Sequence, residues 1–419
     1  MVKLQQGDST MDKFTNLLVD QQNNTSIEAK LTNLLALVRK HLDMDVAFIS
    51  EFINDERVFK VVDNPSENQI VKVGNADPIN ETYCQKITDE KLSPIITNTK
   101  ANPITKAMPV TKKLGIGAYI GVPINLSNGK LYGTFCCYKS HHDESLNDRD
   151  LSFLNIISEI ATDLIEKNLS KSVSHTHTKS VIQQIISDND ISMYFQPIYS
   201  LRHNKIAGFE SLARFFTTPY KTPDIWFKEA SKVGLNEALE MLAIKNAVKD
   251  MAQLNDTIYI AINCSPSHIL SGALEHTLQQ SDCTRLVLEI TEHSPISDYE
   301  KMRTALTPLR KRGLRLAIDD VGAGFSSFQH ILELEADIIK LDISLTQNIN
   351  TDDRKFLLAK ALCGFAKAID CTIVAEGIET EEELNSLRKL NVDSVQGYFI
   401  GRPAAINDAL SLLNATLPA

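Results

Sequence analysis

The strongest constraint on the fold is a rhythm in the second half of the chain. From Ile191 onward, short β-prone runs alternate with longer amphipathic segments of helical period. The runs are Met193–Pro197, Ala207–Ala213, Ile258–Asn263, Arg285–Thr291, Arg315–Asp320, Ile338–Asp342, Thr372–Glu376 and Ser394–Phe399. Strands alternating with helices over this length predict a parallel closed barrel of the α/β class, a TIM-like (β/α)8 fold whose usual size is about 250 residues. In such a barrel the C-terminal ends of the strands gather on one face, where residues distant in sequence meet. Each run supplies a polar residue within it or near its C-terminal end: Gln196, Glu210, Asn263, Glu289, the pair Asp319-Asp320, Lys340, Glu376 and Gln396.

A single carboxylate closing an apolar run is ordinarily the first residue of a loop. The set carries more weight. Asp319 and Asp320 directly follow Leu316-Ala317-Ile318, and two adjacent buried negative charges are costly unless a cation compensates them. Glu, Asp and the Asn side-chain carbonyl are oxygen donors that suit hard divalent cations, which implies Mg²⁺ or Mn²⁺. The seven cysteines, odd in number and without C-x-x-C spacing, fit reduced core thiols better than a disulfide framework or a zinc site.

The words around these residues resemble an EAL-domain cyclic di-GMP phosphodiesterase. They are Tyr-Phe-Gln-Pro-Ile at 194–198, Glu-Ser-Leu-Ala-Arg at 210–214, Asn-Cys-Ser-Pro at 263–266 and Leu-Glu-Ile-Thr-Glu at 288–292. Further on come Ala-Ile-Asp-Asp-Val-Gly-Ala-Gly-Phe-Ser-Ser at 317–327, Ile-Lys-Leu-Asp at 339–342, Ala-Glu-Gly-Ile-Glu-Thr at 375–380 and Gln-Gly-Tyr at 396–398. The resemblance implies two cations per site, held by Glu210, Asn263, Glu289, Asp319, Asp320 and Glu376. It implies Lys340 beside the nucleophilic water, with Glu376 and Glu292 also in the catalytic set, Glu292 as a brace for the loop from Val321 to Ser327. Gln196, Arg214, Asp342 and Gln396 are the implied substrate contacts. The implied reaction is hydrolysis of cyclic di-GMP to linear pGpG by a homodimer. The alternatives are a receptor that binds cyclic di-GMP without cleaving it and an inert dimerising scaffold. Three positions depart from the family pattern: Ser211 for alanine, and Val321 and Phe325 for phenylalanine and tyrosine. Serine is a small change, whereas Val321 removes ring volume and is expected to loosen its loop.

The first part of the chain reads differently. Leu31, Leu34, Leu35, Leu37 and Val38 mark one helical face. Val46–Ile49 and Val58–Val62 are short strands, and residues 115–126 and 130–139 form a predicted hairpin around Ser127-Asn128-Gly129. Leu151, Leu154, Ile157, Ile160, Ala161 and Leu164 predict an amphipathic exit helix. These segments resemble a GAF sensor domain of α+β type, through residues 42–50, 83–87, 115–124 and 131–138; its ligand is not named by them. Cys84 lacks an adjacent histidine and reads as a core or pocket-lining thiol. Cys136 and Cys137, neighbours on one strand, are expected to face opposite ways. His175 and His177 read as solvated linker residues. The expected organisation is an N-terminal helical or flexible segment at 1–24, the GAF domain at 25–168, a helical linker at 169–186 and the EAL domain at 187–419.

A chain of 419 residues with net charge −10 lacks the basic balance of a nucleic-acid binder. No window approaches the roughly 18 apolar residues of a membrane span, and no export signal is recognisable, so the expectation is a cytoplasmic protein with no membrane partner.

Overall fold

The computed structural model describes residues 26–65, 70–293, 295–322 and 327–413. The segment 1–24 and Phe325 therefore lie outside the described residues. The chain divides into two compact units, Met1–Ser174 and His175–Ala419. The helix Asp148–Asp188 is continuous through the polar stretch 171–180, so the backbone there is helical rather than a loop. Among the described residues no helix is long and apolar enough to cross a membrane.

The first unit is built on a six-stranded antiparallel sheet: β1 (Val46–Ile53), β2 (Glu56–Asp63), β3 (Ala76–Pro78), β4 (Ile95–Ile96), β5 (Ala118–Asn125) and β6 (Leu131–Lys139), in the order β3-β2-β1-β6-β5-β4. The predicted hairpin is β5–β6, with Gly129 at φ +81° in its turn. Strand alternation gives each face its own core. Leu31, Leu34, Leu35 and Val38 of the helix Ile27–His41 pack on one face together with Ala47, Ile49 and Cys137. Phe48, Phe59, Tyr83, Cys84, Tyr119 and Cys136 fill the other.

The second unit contains all eight expected strands: β7 (Ser192–Ser200), β8 (Lys205–Arg214), β9 (Tyr259–Asn263), β10 (Leu286–Thr291), β11 (Arg315–Val321), β12 (Ile338–Leu341), β13 (Thr372–Ala375) and β14 (Ser394–Gln396). Pairing of β14 with β7 closes the barrel. Seven strands are mutually parallel, but β7 runs antiparallel to both its neighbours, β8 and β14. The reason lies in the connection: only residues 201–204 join β7 to β8, whereas a parallel crossover needs a dozen or more.

Inside the barrel, side chains stack in layers of period two. Ile198, Ala261, Val287, Ala317, Ile338 and Val374 form an apolar interior cluster, with Tyr259 against it. A Cβ on Gly208 would lie 2.6 Å from the Tyr259 ring, so the small residue makes room for an aromatic in this layer. Two residues further along each parallel strand stand Glu210, Asn263, Glu289, Asp319, Lys340 and Glu376. The apolar layer is thus the floor on which the polar layer rests. The intervening residues, such as Ile260, Leu288, Ile318 and Ile339, point outward into the larger core shared with the helices.

Candidate active site

Lys340 is the centre of the polar layer. Its side chain is only 1% exposed, and its Nζ lies 2.8 Å from Glu376 Oε1, 2.9 Å from Glu289 Oε2, 3.1 Å from Asp319 Oδ2 and 3.7 Å from Glu210 Oε2. A lysine at a strand end is ordinarily solvated; this one is held by β12 pointing into the barrel. Burial alone would lower its pKa, but Glu210, Glu289, Glu376 and Asp319 outweigh that and hold the ammonium well above its usual value. For the carboxylates burial acts the other way, favouring the neutral form. Burial pushes Glu289 well above the usual carboxylate range, with Lys340 pulling it down and Glu210, Asp319 and Glu376 adding to the rise. Burial likewise pushes Glu376 up to about 8, opposed by Lys340 and helped by Asp319 and Glu210.

The carboxylate oxygens form two overlapping trios whose ligand atoms lie within 4.8 Å of one another: Glu210, Glu289 and Asp319, and Asp319, Asp320 and Glu376. Asp319 belongs to both. In a regular strand, Asp319 and Asp320 would point to opposite faces. A register shift between Ile318 and Val321 in the β11–β12 pairing, with Asp320 at φ +60°, brings both carboxylates to one site. Asp tolerates this left-handed conformation better than most residues, because its short side chain finds local partners; here the Asp320 N–H donates to Asp319 Oδ1 at 2.9 Å. Burial and then repulsion from Asp319 and Asp342 raise the Asp320 pKa.

The amide residues are tied to Glu210. Asn263 Nδ2 donates to Glu210 Oε1 at 3.2 Å, which leaves its carbonyl oxygen free of that bond. Gln396 Nε2 donates to Glu210 Oε2 at 2.7 Å and to Gln196 Oε1 at 3.2 Å. Although β7 is reversed, the register sets Gln196 directly opposite Glu210. Gln196, Glu210, Glu376 and Gln396 line an open cleft of about 420 Å³, and Glu379 and Tyr398 complete its rim.

The donor set fits hard divalent cations. Four carboxylates, Glu210, Glu289, Asp319 and Glu376, converge on one ammonium group, Asp320 joins Asp319 and Glu376 in the second trio, and Glu289 Oε2 is buried without a hydrogen bond of good geometry. A charge excess of this kind, lined with oxygen, calls for cations.

Three further expected site residues lie outside the two trios. Arg214 lies four residues beyond Glu210, roughly 13 Å further along the strand, where its guanidinium sits 5.4 Å from the centre of the Tyr194 ring. With Asn263 and Ser211 it lines a separate cavity of about 220 Å³. Asp342 caps the short helix Ile343–Thr346, its Oδ1 accepting the Ser344 N–H at 2.8 Å. The Glu292 side chain is buried, and its N–H donates to Asp319 O at 3.0 Å; most of the loop it was expected to brace, residues 323–326, lies outside the described residues.

Two of the three departures from the family pattern, Ser211 and Val321, lie among the described residues and are accommodated in the packing. Ser211 is buried and its hydroxyl donates to Ala261 O at 2.8 Å, a bond that alanine would lack. Val321 ends β11 opposite Leu341 and is 1% exposed, which makes it a core residue rather than part of the loop surface.

Glu240 belongs to the surroundings of the site, although no sequence word marks it. Its Oε1 accepts the Ser265 N–H at 2.8 Å and its Oε2 accepts the Ser265 hydroxyl at 2.7 Å, while His268 Nδ1 lies 2.8 Å from Oε1. The acid thereby holds the turn that follows Asn263. The signal for it is a carboxylate set among Leu239, Ala243 and Ile244 on the buried side of the helix Asn236–Met251.

Comparison with known proteins agrees with this architecture. Residues 179–403 match the EAL domain family model, and residues 24–166 match that of the GAF domain. An uncharacterized signaling protein of Caulobacter vibrioides is 35% identical over 239 residues, 55% of this chain and 29% of that protein. The probable cyclic di-GMP phosphodiesterase PdeG of Escherichia coli is 29% identical over 275 residues, 63% of this chain and 54% of that protein. The chain thus spans 29% and 54% of the length of these relatives. The crystal structure of an EAL domain protein from Listeria monocytogenes superposes with a TM-score of 0.51 at 25% identity, covering 56% of this chain and 96% of that one.

Proposed function

The chain belongs to the EAL domain family, and from that premise we propose that it hydrolyses cyclic di-GMP to linear pGpG by in-line attack of water. The observation that carries this reading is the pair of carboxylate trios sharing Asp319 around a buried Lys340. In it, Glu210, Asn263, Glu289 and Asp319 would hold one divalent cation, and Asp319, Asp320 and Glu376 a second. When bound, Mg²⁺ or Mn²⁺ supplies Lewis-acid charge for the phosphoryl oxygens and makes water a stronger acid.

The remaining roles fall to the chain itself. Lys340, kept protonated by its neighbours, donates to the attacking water and offsets charge that develops on the phosphoryl oxygens. Gln196 and Gln396 orient the dinucleotide in the cleft they line. Arg214 offers a planar fork to a phosphate at the far end of β8. Asp342 contacts the substrate from the start of its short helix, and Glu292, anchored to Asp319 through its backbone, fixes the end of β10. The same reading makes the protein a homodimer, testable by light scattering, with the GAF unit controlling turnover in response to a ligand still to be identified.

The test is incubation of the purified full chain with cyclic di-GMP and Mn²⁺ or Mg²⁺, followed by chromatography of the nucleotides. Appearance of pGpG supports the enzyme. Saturable binding with no linear product under metal-replete conditions establishes a receptor instead, and no binding at all leaves a scaffold.

A further inference from the structure

Within the first unit, Cys84 of the helix Tyr83–Thr88 and Cys136 of β6 lie Sγ to Sγ 3.7 Å apart, although 52 positions separate them in the chain. Both are fully buried. The distance is van der Waals contact for two sulfurs, longer than the roughly 2.05 Å of a disulfide bond. The packing here is tight: Gly121 is the residue paired with Cys136 across β5–β6, and a Cβ there would come within 2.8 Å of the Tyr119 hydroxyl and 3.0 Å of Cys136 Sγ.

The surroundings are charged. Arg57 Nη1 lies 3.7 Å from Cys84 Sγ, and the guanidinium sits 4.2 Å from the centre of the Phe59 ring. Its Nη2 pairs with Asp77, but Asp77 also pairs with Lys113 at 2.5 Å, so the two cations share one carboxylate. Arg57 Nε is buried without a hydrogen-bond partner. A cation left partly unneutralised beside a thiol favours the thiolate, the reactive form. Burial acts to raise the Cys84 thiol, but a hydrogen bond with Cys136 and the Arg57 charge together hold it well below the usual range, while burial pushes Cys136 well above. The Tyr119 hydroxyl lies 3.6 Å from Cys84 Sγ. Cys137, one residue on, belongs to the opposite face and has no such setting.

We propose that Cys84 and Cys136 are a redox-modification site, a dithiol that a hydroperoxide converts to a disulfide within the GAF unit. Cys84 is the attacking sulfur. Its thiolate takes one peroxide oxygen, the O–O bond breaks, and the other oxygen leaves with a proton as water or alcohol; Cys84 is now a sulfenic acid. The Cys136 sulfur then attacks that of Cys84: the S–S bond forms, the S–O bond breaks, and the departing hydroxide takes the Cys136 proton as water. Two thiols and one hydroperoxide give one disulfide, one water and one alcohol, or two waters when the oxidant is hydrogen peroxide.

The experiment treats the full chain with hydrogen peroxide and maps its cysteines by mass spectrometry without reduction. The expected result is a cross-linked peptide pair containing Cys84 and Cys136, restored to two thiols by dithiothreitol, with the Cys84 thiol lost at least about tenfold faster than that of Cys137. Cys84→Ser leaves Cys136 reduced, whereas Cys137→Ser leaves the cross-link intact. The proposal is overturned if Cys84 and Cys136 stay reduced while Cys363, the least buried cysteine, is oxidised. It is equally overturned if the cross-link joins other cysteines, or if the oxidation of Cys84 resists dithiothreitol. The mapping is read on the unmutated chain, so misfolding of a variant leaves the result intact.

Discussion

Replacing Lys340 by methionine keeps an unbranched side chain one atom shorter and removes the charge, and the structure indicates what the loss costs. Without cations, the ammonium is the only positive group within 4 Å of Glu210, Glu289, Asp319 and Glu376 among the described residues. Removing one partner of a buried ion cluster typically costs about 3–5 kcal/mol. For a unit of this size that corresponds to a fall in melting midpoint of about 6–20 °C. The sole tryptophan, Trp226, is buried in the barrel unit, so its fluorescence follows unfolding of that unit alone. In EDTA the Lys340→Met protein should melt lower than wild type by that margin. Mn²⁺ should then restore more stability to the variant than to wild type, because the cations no longer compete with an ammonium for the same oxygens; at a hundredfold excess over Kd the wild-type gain is about 2.7 kcal/mol. Turnover in saturating Mn²⁺ should nevertheless fall by about a hundredfold to a thousandfold, the usual contribution of one preorganised hydrogen-bond donor. A variant as stable as wild type in EDTA, with an equal gain from Mn²⁺, would refute the view that Lys340 holds the carboxylates together.

Glu210→Ala removes an oxygen from the first trio and strands the Asn263 and Gln396 donors; turnover should be lost along with high-affinity Mn²⁺ binding by calorimetry, and unchanged binding would place the cation elsewhere. Asp320→Asn keeps a residue that tolerates φ +60° but discards its charge, so Mn²⁺ affinity should fall about tenfold or more with little change in melting; a large loss of stability would mean that the carboxylate is structural. Ser211→Ala deletes the hydrogen bond to Ala261 O and should cost about 0.5–1.5 kcal/mol in urea denaturation with turnover within about twofold. Glu383 accepts backbone N–H groups of Asn348, Glu379 and Thr380 at 2.7, 2.9 and 3.1 Å, and although burial acts to raise its pKa, these bonds hold it below the usual carboxylate value. A depressed carboxylate stabilises the fold above its unfolded pKa and loses that contribution as pH falls through the folded value. Glu383→Gln should therefore cost about 1.5–3 kcal/mol at neutral pH, and the gap to wild type should narrow once pH drops below about 4.5; a gap independent of pH would contradict the assignment.

Much of the barrel is legible in the sequence because strand period and site period coincide. Ala261 and Asn263, Val287 and Glu289, Ala317 and Asp319, Ile338 and Lys340, and Val374 and Glu376 each repeat a small or apolar residue two places before a polar one. The alternation alone reveals both the apolar floor and the polar layer above it. Three features escape it, each for its own physical reason. The reversal of β7 follows from a four-residue connection, 201–204, and connection length is a property of the gaps rather than of the runs. The convergence of Asp319 and Asp320 contradicts the strand period, and only the bulge with Asp320 in the left-handed region removes the contradiction. The contact between Cys84 and Cys136 comes from a short helix laid against the far face of a sheet, and no local pattern encodes it.

These exceptions separate what is set locally from what is set by packing. A strand's own alternation fixes which residues face the barrel axis, so Lys340 and its carboxylates were predictable as a set. The number of oxygens that each trio gathers, however, depends on one backbone irregularity. Without the bulge, Asp320 would turn toward the helices, the second trio would keep only Asp319 and Glu376, and a second cation would have two carboxylates to hold it. On the proposed reading, a second cation would therefore depend less on the count of acidic residues than on the φ angle of one of them, which is why Asp320→Asn is a sharper test of the site than removal of any ligand on a regular strand.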